Sequence, residues 1–162
     1  MESILVSSCL LGRPVRYDGR GKAVHDELFA QWRTEGRLVP FCPEVSGGLP
    51  VPRPPAEIVG DAAAVLDGTA QVRTAAGEDV TEHFVRGARL ALEAAERAGA
   101  RIALLKQGSP SCGNGRVHDG TFAGVSVAGD GVTTVLLERN GVSVFSEDDL
   151  LAVQSLLKEL EK

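Results

Sequence analysis

Ile102-Ala103-Leu104-Leu105-Lys106-Gln107-Gly108-Ser109-Pro110-Ser111-Cys112-Gly113 is a run of four apolar residues that passes straight into a turn-rich loop holding a cysteine. A short, uninterrupted apolar run bounded by turn residues reads as a strand covered on both faces, as in a parallel sheet. The same arrangement occurs twice upstream, with Cys9 after Ile4-Leu5-Val6 and Cys42 after Leu38-Val39-Pro40-Phe41. Those three are all the cysteines in the chain. If the runs are parallel neighbours, their carboxyl ends share the edge where open α/β folds place ligands. Three thiolates converging there would make a metal site.

The segments between the strands supply the helices that a parallel sheet needs. Val24, Leu28, Phe29 and Trp32 have helical spacing and predict a crossover helix over 24–35, stopped by Gly36. Asp79 with Glu82 resembles a capping box, and Phe84, Ala88, Leu92 and Ala95 then predict a long helix ending at Gly99. Residues 131–139 read as another helix and Val142 to Phe145 as a fourth strand. Ser146-Glu147-Asp148-Asp149 caps a terminal helix whose leucines 150, 151, 156, 157 and 160 are expected to face the core. Pro43 to Pro55 holds five prolines and two glycines, so it is expected to be an ordered loop. Asp67-Gly68 between Val65-Leu66 and Gln71-Val72 predicts a small hairpin beside the sheet. The expected fold is a single three-layer, Rossmann-like α/β domain over residues 1–162, with a short, mostly parallel sheet and a small β-hairpin.

At 162 residues and a formal charge of −5, the chain has the size of one domain and lacks the basic surplus of a general nucleic-acid binder. No stretch approaches a membrane span. The opening Met1-Glu2-Ser3 carries an acid where an export signal would carry lysine or arginine, so a cytoplasmic protein is expected, with no membrane and no nucleic-acid partner. An odd number of cysteines does not describe a disulfide framework, and a reducing compartment favours thiolates as ligands.

Soft thiolates suit zinc or iron–sulfur clusters. His118, six residues past Cys112, could complete a Cys3His zinc site in a binding domain without catalysis, while His25 and His83 fall on expected helices and read as ordinary histidines. Three cysteines on a cubane would instead leave one iron open as a Lewis acid. Glu44 lies two residues from Cys42 and could serve as general acid or base. Ser109 and Ser111 bring hydroxyls beside Cys112, and Arg16 and Asp18 are candidates for the rim of a substrate pocket. Glu57, Asp61 and Asp67 read as solvated charges.

Val6-Ser7-Ser8-Cys9-Leu10-Leu11-Gly12, Arg16-Tyr17-Asp18-Gly19, Cys42-Pro43-Glu44, Gly47-Gly48-Leu49-Pro50, Pro52-Arg53, Asp79-Val80-Thr81 and Ser109-Pro110-Ser111-Cys112-Gly113 together resemble a bacterial domain-of-unknown-function family that includes the thiouracil desulfidases. The resemblance covers about residues 3 to 147. It implies a [4Fe-4S] cluster held by Cys9, Cys42 and Cys112, easily lost in air, with the fourth iron free to bind sulfur. It implies non-redox removal of sulfur from a small thiolated nucleobase, giving uracil and hydrogen sulfide, with Glu44 and Ser109 as the catalytic residues. Another thioamide or a thiolated nucleoside remains an alternative substrate.

Overall fold

A computed structural model describes residues Met1–Lys162. Strands β1 (Ile4–Ser7), β2 (Leu38–Phe41), β5 (Ile102–Leu105) and β8 (Ser143–Ser146) form one sheet in the order β2-β1-β5-β8, parallel throughout. The chain passes from β1 outward to β2, then returns across β1 to β5, so the order reverses between β1 and β5. That is the topological switch point, where a crevice opens outside the strands' carboxyl ends. Ser7 lies level with Phe41 and Val6 level with Leu104, which makes the strands end at one height.

Alternation along each strand divides the core into two layers. Ile4, Val6, Ile102 and Leu104 pack with Phe29 and Trp32 of α1 (Glu27–Thr34) and with Leu150, Val153 and Leu157 of α6 (Leu150–Leu160). Trp32 Nε1 donates to Gln154 Oε1 at 3.1 Å, giving a buried indole N–H its partner and tying α1 to α6. On the other face Leu5, Ala103, Leu105 and Val144 meet Ala91 and Ala95 of α4 (Thr81–Ala98) and Leu137 of α5 (Val132–Arg139). The expected three layers are therefore present. Gly99 ends α4 with φ +65°, the left-handed cap that glycine adopts without strain.

A third apolar group seats an antiparallel hairpin, β3 (Ala56–Val59) and β4 (Gln71–Thr74), on α4 through Ile58, Val72 and Phe84. The hairpin is present with its second strand at Gln71-Val72 as expected, but its first strand is Ala56–Val59 and not Val65-Leu66. Asp67-Gly68 instead closes a short helix, α3 (Ala62–Leu66), with Gly68 at φ +84°. Asp61 caps that helix by accepting from Ala64 N at 2.7 Å, and three consecutive alanines favour it. Pro43–Ser46 begins the expected loop with one helical turn, α2, whose proline occupies the first position that tolerates it. The loop after β5 contains a further hairpin, β6 (Arg116–His118) with β7 (Ser126–Ala128). Leu151 points to solvent and Val153 takes the inward place, because 151 falls off the 150-153-157 stripe of α6.

Candidate active site

The carboxyl edge of the sheet opens into a cavity of about 340 Å³ that all three cysteines line. Cys9 sits in the single 3-10 turn Ser8–Leu11 directly after β1, with its carbonyl accepting from Gly12 N at 3.0 Å and Lys22 N at 2.7 Å. Cys42 is the residue before α2, and that turn is pressed against α4. No Cβ could fit at Gly87 of α4 against the Pro43 carbonyl, nor at Gly47 against the His83 carbonyl, so two glycines set how closely the Cys42-Pro43-Glu44 segment approaches. Cys112 is buried, with its backbone N–H donating to Ser109 Oγ at 3.0 Å.

None of the thiols has a disulfide partner. Burial pushes Cys9 up to about 11, with the nearby Cys42 adding to the shift. Burial likewise raises Cys42, partly offset by the backbone amide of Val45, and raises Cys112 most strongly, partly offset by its bond from Ser7. Such thiols are poor nucleophiles at neutral pH, since the thiolate is the reactive form. They are suited to a metal, whose charge removes the proton. No three His, Cys, Asp or Glu side chains are gathered closely enough for one ion, so the Cys3His zinc arrangement is not assembled, although His118 lines the same cavity. Three soft, dry donors spread around one cavity fit a larger sulfur-bridged group.

Beside the thiols lies a fixed carboxylate. Arg53 Nε donates to Glu44 Oε1 and Ser109 Oγ to Glu44 Oε2, each at 3.2 Å. Arg53 is itself locked, donating to the carbonyls of Pro50 at 3.1 Å and Val15 at 3.0 Å. Ser109 Oγ accepts from the backbone N–H groups of Ser111 and Cys112, both at 3.0 Å, so its own hydrogen is directed onto Glu44. At the switch point, Ser7 Oγ accepts from Lys106 N at 3.0 Å and donates to Cys112 Sγ at 3.5 Å. Lys106 Nζ, also on the wall, pairs with Glu147 at 2.9 Å.

The structure thus brings Cys9, Cys42, Cys112, Glu44, Ser109 and Arg16 to one cavity. It does not bring Asp18 or Ser111 there. Asp18 lies outside the wall, where its carboxylate accepts from Arg20 N at 3.0 Å and stands 4.0 Å from Arg16. Ser111 is fully buried behind the loop, its hydroxyl without a partner. Glu57, read as a solvated charge, is instead buried and lines the cavity. His25 is exposed ahead of α1, and His83 Nδ1 contacts the Gly47 carbonyl at 2.9 Å. Sequence reasoning assigned no role to Ser7, Arg53 or Lys106. The available signal was a polar residue placed directly at the end of an apolar strand, as Ser7 and Lys106 are, or inside a proline-rich segment, as Arg53 is.

A family model described as 2-thiouracil desulfurase matches residues 4–149. The chain belongs to the 2-thiouracil desulfurase family. Within reach of this family is a solved structure described as a [4Fe-4S]-dependent thiouracil desulfidase, TudS. It is 52% identical, with a TM-score of 0.90 over 98% of this chain and 99% of that one. The uncharacterized protein YbbK of Bacillus subtilis (strain 168) is 46% identical over 148 residues, which is 91% of this chain and 97% of the relative.

Proposed function

We infer that this desulfurase-family protein holds a [4Fe-4S] cluster on Cys9, Cys42 and Cys112 and removes sulfur from a small thiolated nucleobase such as 2-thiouracil. The observation that carries this reading is the single cavity lined by three buried or half-buried thiols and by the Glu44–Ser109 pair. Bound there, the cluster supplies a soft Lewis-acidic iron with an open position. The chain's own groups handle the water and the protons. One water gives its oxygen to the ring carbon and both hydrogens to the departing sulfur, so the carbon–sulfur bond is replaced by a carbon–oxygen bond with no change in electron count. Glu44 takes the first proton from the attacking water. Each of its oxygens retains a second lone pair beyond the bonds from Arg53 and Ser109. Ser109 holds the carboxylate in position, and the same hydrogen bond is a route for returning the proton to sulfur.

A cavity of about 340 Å³ is near the lower end for ligand pockets, which supports a free base over a polymer. The negative net charge of −5 supports the same choice. Free thiols suit a reducing compartment, and we place the protein in the cytoplasm; no helix is long and apolar enough to cross a membrane. The test is anaerobic reconstitution followed by 2-thiouracil. A brown protein releasing one sulfide per uracil formed is expected. A protein that takes up no iron, or a loaded protein that releases no sulfide, overturns the reading.

A further inference from the structure

We propose that Glu57 selects the substrate by accepting a hydrogen bond from a ring N–H of the thiolated base, an inference that rests on the desulfidase reading above. Glu57 comes from β3, outside the main sheet, and faces the cavity that the thiols line from the sheet edge. It is only 8% exposed. A carboxylate so buried requires partners, and one of its oxygens has them. Glu57 Oε1 accepts from Gly120 N at 2.9 Å and from Phe122 N at 3.3 Å. The loop is drawn tightly onto β3 to make these bonds. A Cβ at Gly120 would come within 2.7 Å of the Ile58 carbonyl, and Phe122, at φ +60°, has the only positive φ outside glycine.

Oε2 has no such partner. No backbone or side-chain donor of the protein reaches it, no lysine or arginine pairs with Glu57, and it is not sealed from the cavity. Of the basic groups on the wall, Arg53 is committed to Glu44, Lys106 to Glu147 and Arg16, more loosely, to Asp18 at 4.0 Å, while His118 forms no ion pair with Glu57. An ionised carboxylate only accepts hydrogen bonds. A fixed acceptor open to a cavity and free of any cation is completed by a neutral donor on the ligand. A flat pyrimidine whose sulfur points toward the thiols turns another edge toward the hairpin, and its ring N–H is the donor there. A base alkylated at nitrogen would leave the carboxylate buried and unpaired, which is how a polar site rejects an analogue lacking its donor.

Binding of uracil to the cluster-loaded protein, followed by calorimetry, tests this without turnover. Wild-type protein is expected to bind uracil and to bind 1,3-dimethyluracil at least about 10-fold more weakly, the scale of a lost hydrogen bond to a charged group. In Glu57→Gln the amide oxygen can keep the bonds to Gly120 and Phe122 while its NH₂ replaces the acceptor facing the cavity. Uracil affinity should fall by at least about 10-fold, and KM for 2-thiouracil should rise correspondingly with kcat little changed. Iron content and melting temperature should stay at wild-type values. Equal binding of uracil and its dimethyl form by wild type overturns the proposal, as does unchanged uracil affinity in Glu57→Gln. A loss of affinity only in step with lost iron and stability would make Glu57 a loop tether and also overturn it. Sulfide release by wild type is scored separately, so failure of the reaction and failure of the recognition are told apart.

Discussion

At the amino ends of the strands, Arg101 pairs with Glu2 at 2.8 Å and Arg37 with Glu35 at 2.8 Å and Glu161 at 3.0 Å, each pair with at least one side chain about a third or more open to water. At the carboxyl ends, Arg53 reaches Glu44 at 3.2 Å with only 4% of its side chain exposed, next to three thiols. Proton affinities are moved in opposite directions at the two ends. Hydrogen bonds from Arg101 and Arg37 hold Glu2, Glu35 and Glu161 below the ordinary carboxylate range, whereas burial pushes the three thiols up. Charge left in water costs little and contributes little. Polar groups in the dry end are costly to leave without a partner, so the hydrogen bonds that fix Arg53, Glu44 and Ser109 make the geometry there specific.

The contrast breaks most severely at the thiols. Cys112→Ser puts a hard hydroxyl where a soft donor is needed, so reconstituted protein should lack iron and sulfide and show no turnover. Full cluster content in that variant would remove Cys112 from the ligand set. Next in size is Glu44→Gln, which should keep the visible spectrum while turnover per intact cluster falls about 100-fold or more. An unchanged rate per cluster would exclude Glu44 from proton transfer.

Arg53→Met sharpens the comparison on stability. It leaves Glu44 without its cation, with Ser109 as its remaining side-chain donor, removes the donors to the Pro50 and Val15 carbonyls, and should cost about 3 kcal/mol, or roughly 10 °C in melting temperature for a domain of this size. The smallest effect is expected at the opposite end, where Arg37→Met should leave turnover unchanged and shift melting only slightly. Its pH dependence carries the sign. Glu35 and Glu161 have lowered folded-state pKa values, so their contribution is present at neutral pH and is lost as pH falls through those values. Wild type and Arg37→Met should therefore differ near pH 7 and converge in denaturant midpoint in acid below the ordinary carboxylate range. A difference that persists there would mean that packing, not charge, is what Arg37 supplies.

Strands β1, β2 and β5 were legible to within a residue because strands covered on both faces are written as unbroken apolar runs. Their shared edge made the meeting of Cys9, Cys42 and Cys112 legible as well. Strand β3 was not, since Glu57 interrupts Ala56-Ile58-Val59, and β6 is only Arg116-Val117-His118. Such pieces are strands because of what they pair with, not because of a local pattern. Asp67-Gly68 fits both a hairpin turn and a helix end, and the alanines before it decided for the helix. Glu57 was misread because its burial is made by a loop more than sixty residues away, at Gly120 and Phe122. Asp18 and Ser111 share motifs with residues of the site, yet adjacency in sequence did not bring their side chains to the wall.

The joint between Ser7 and Cys112 spans 105 residues of chain. Its consequence lies in the order of events during biosynthesis. The first two thiols emerge early, but the third has nowhere to stand until β5 has docked beside β1, the longest-range pairing in the sheet and one that long loop closure makes slow. A prosthetic group gripped by all three thiols could therefore be held fully only after β5 has docked beside β1.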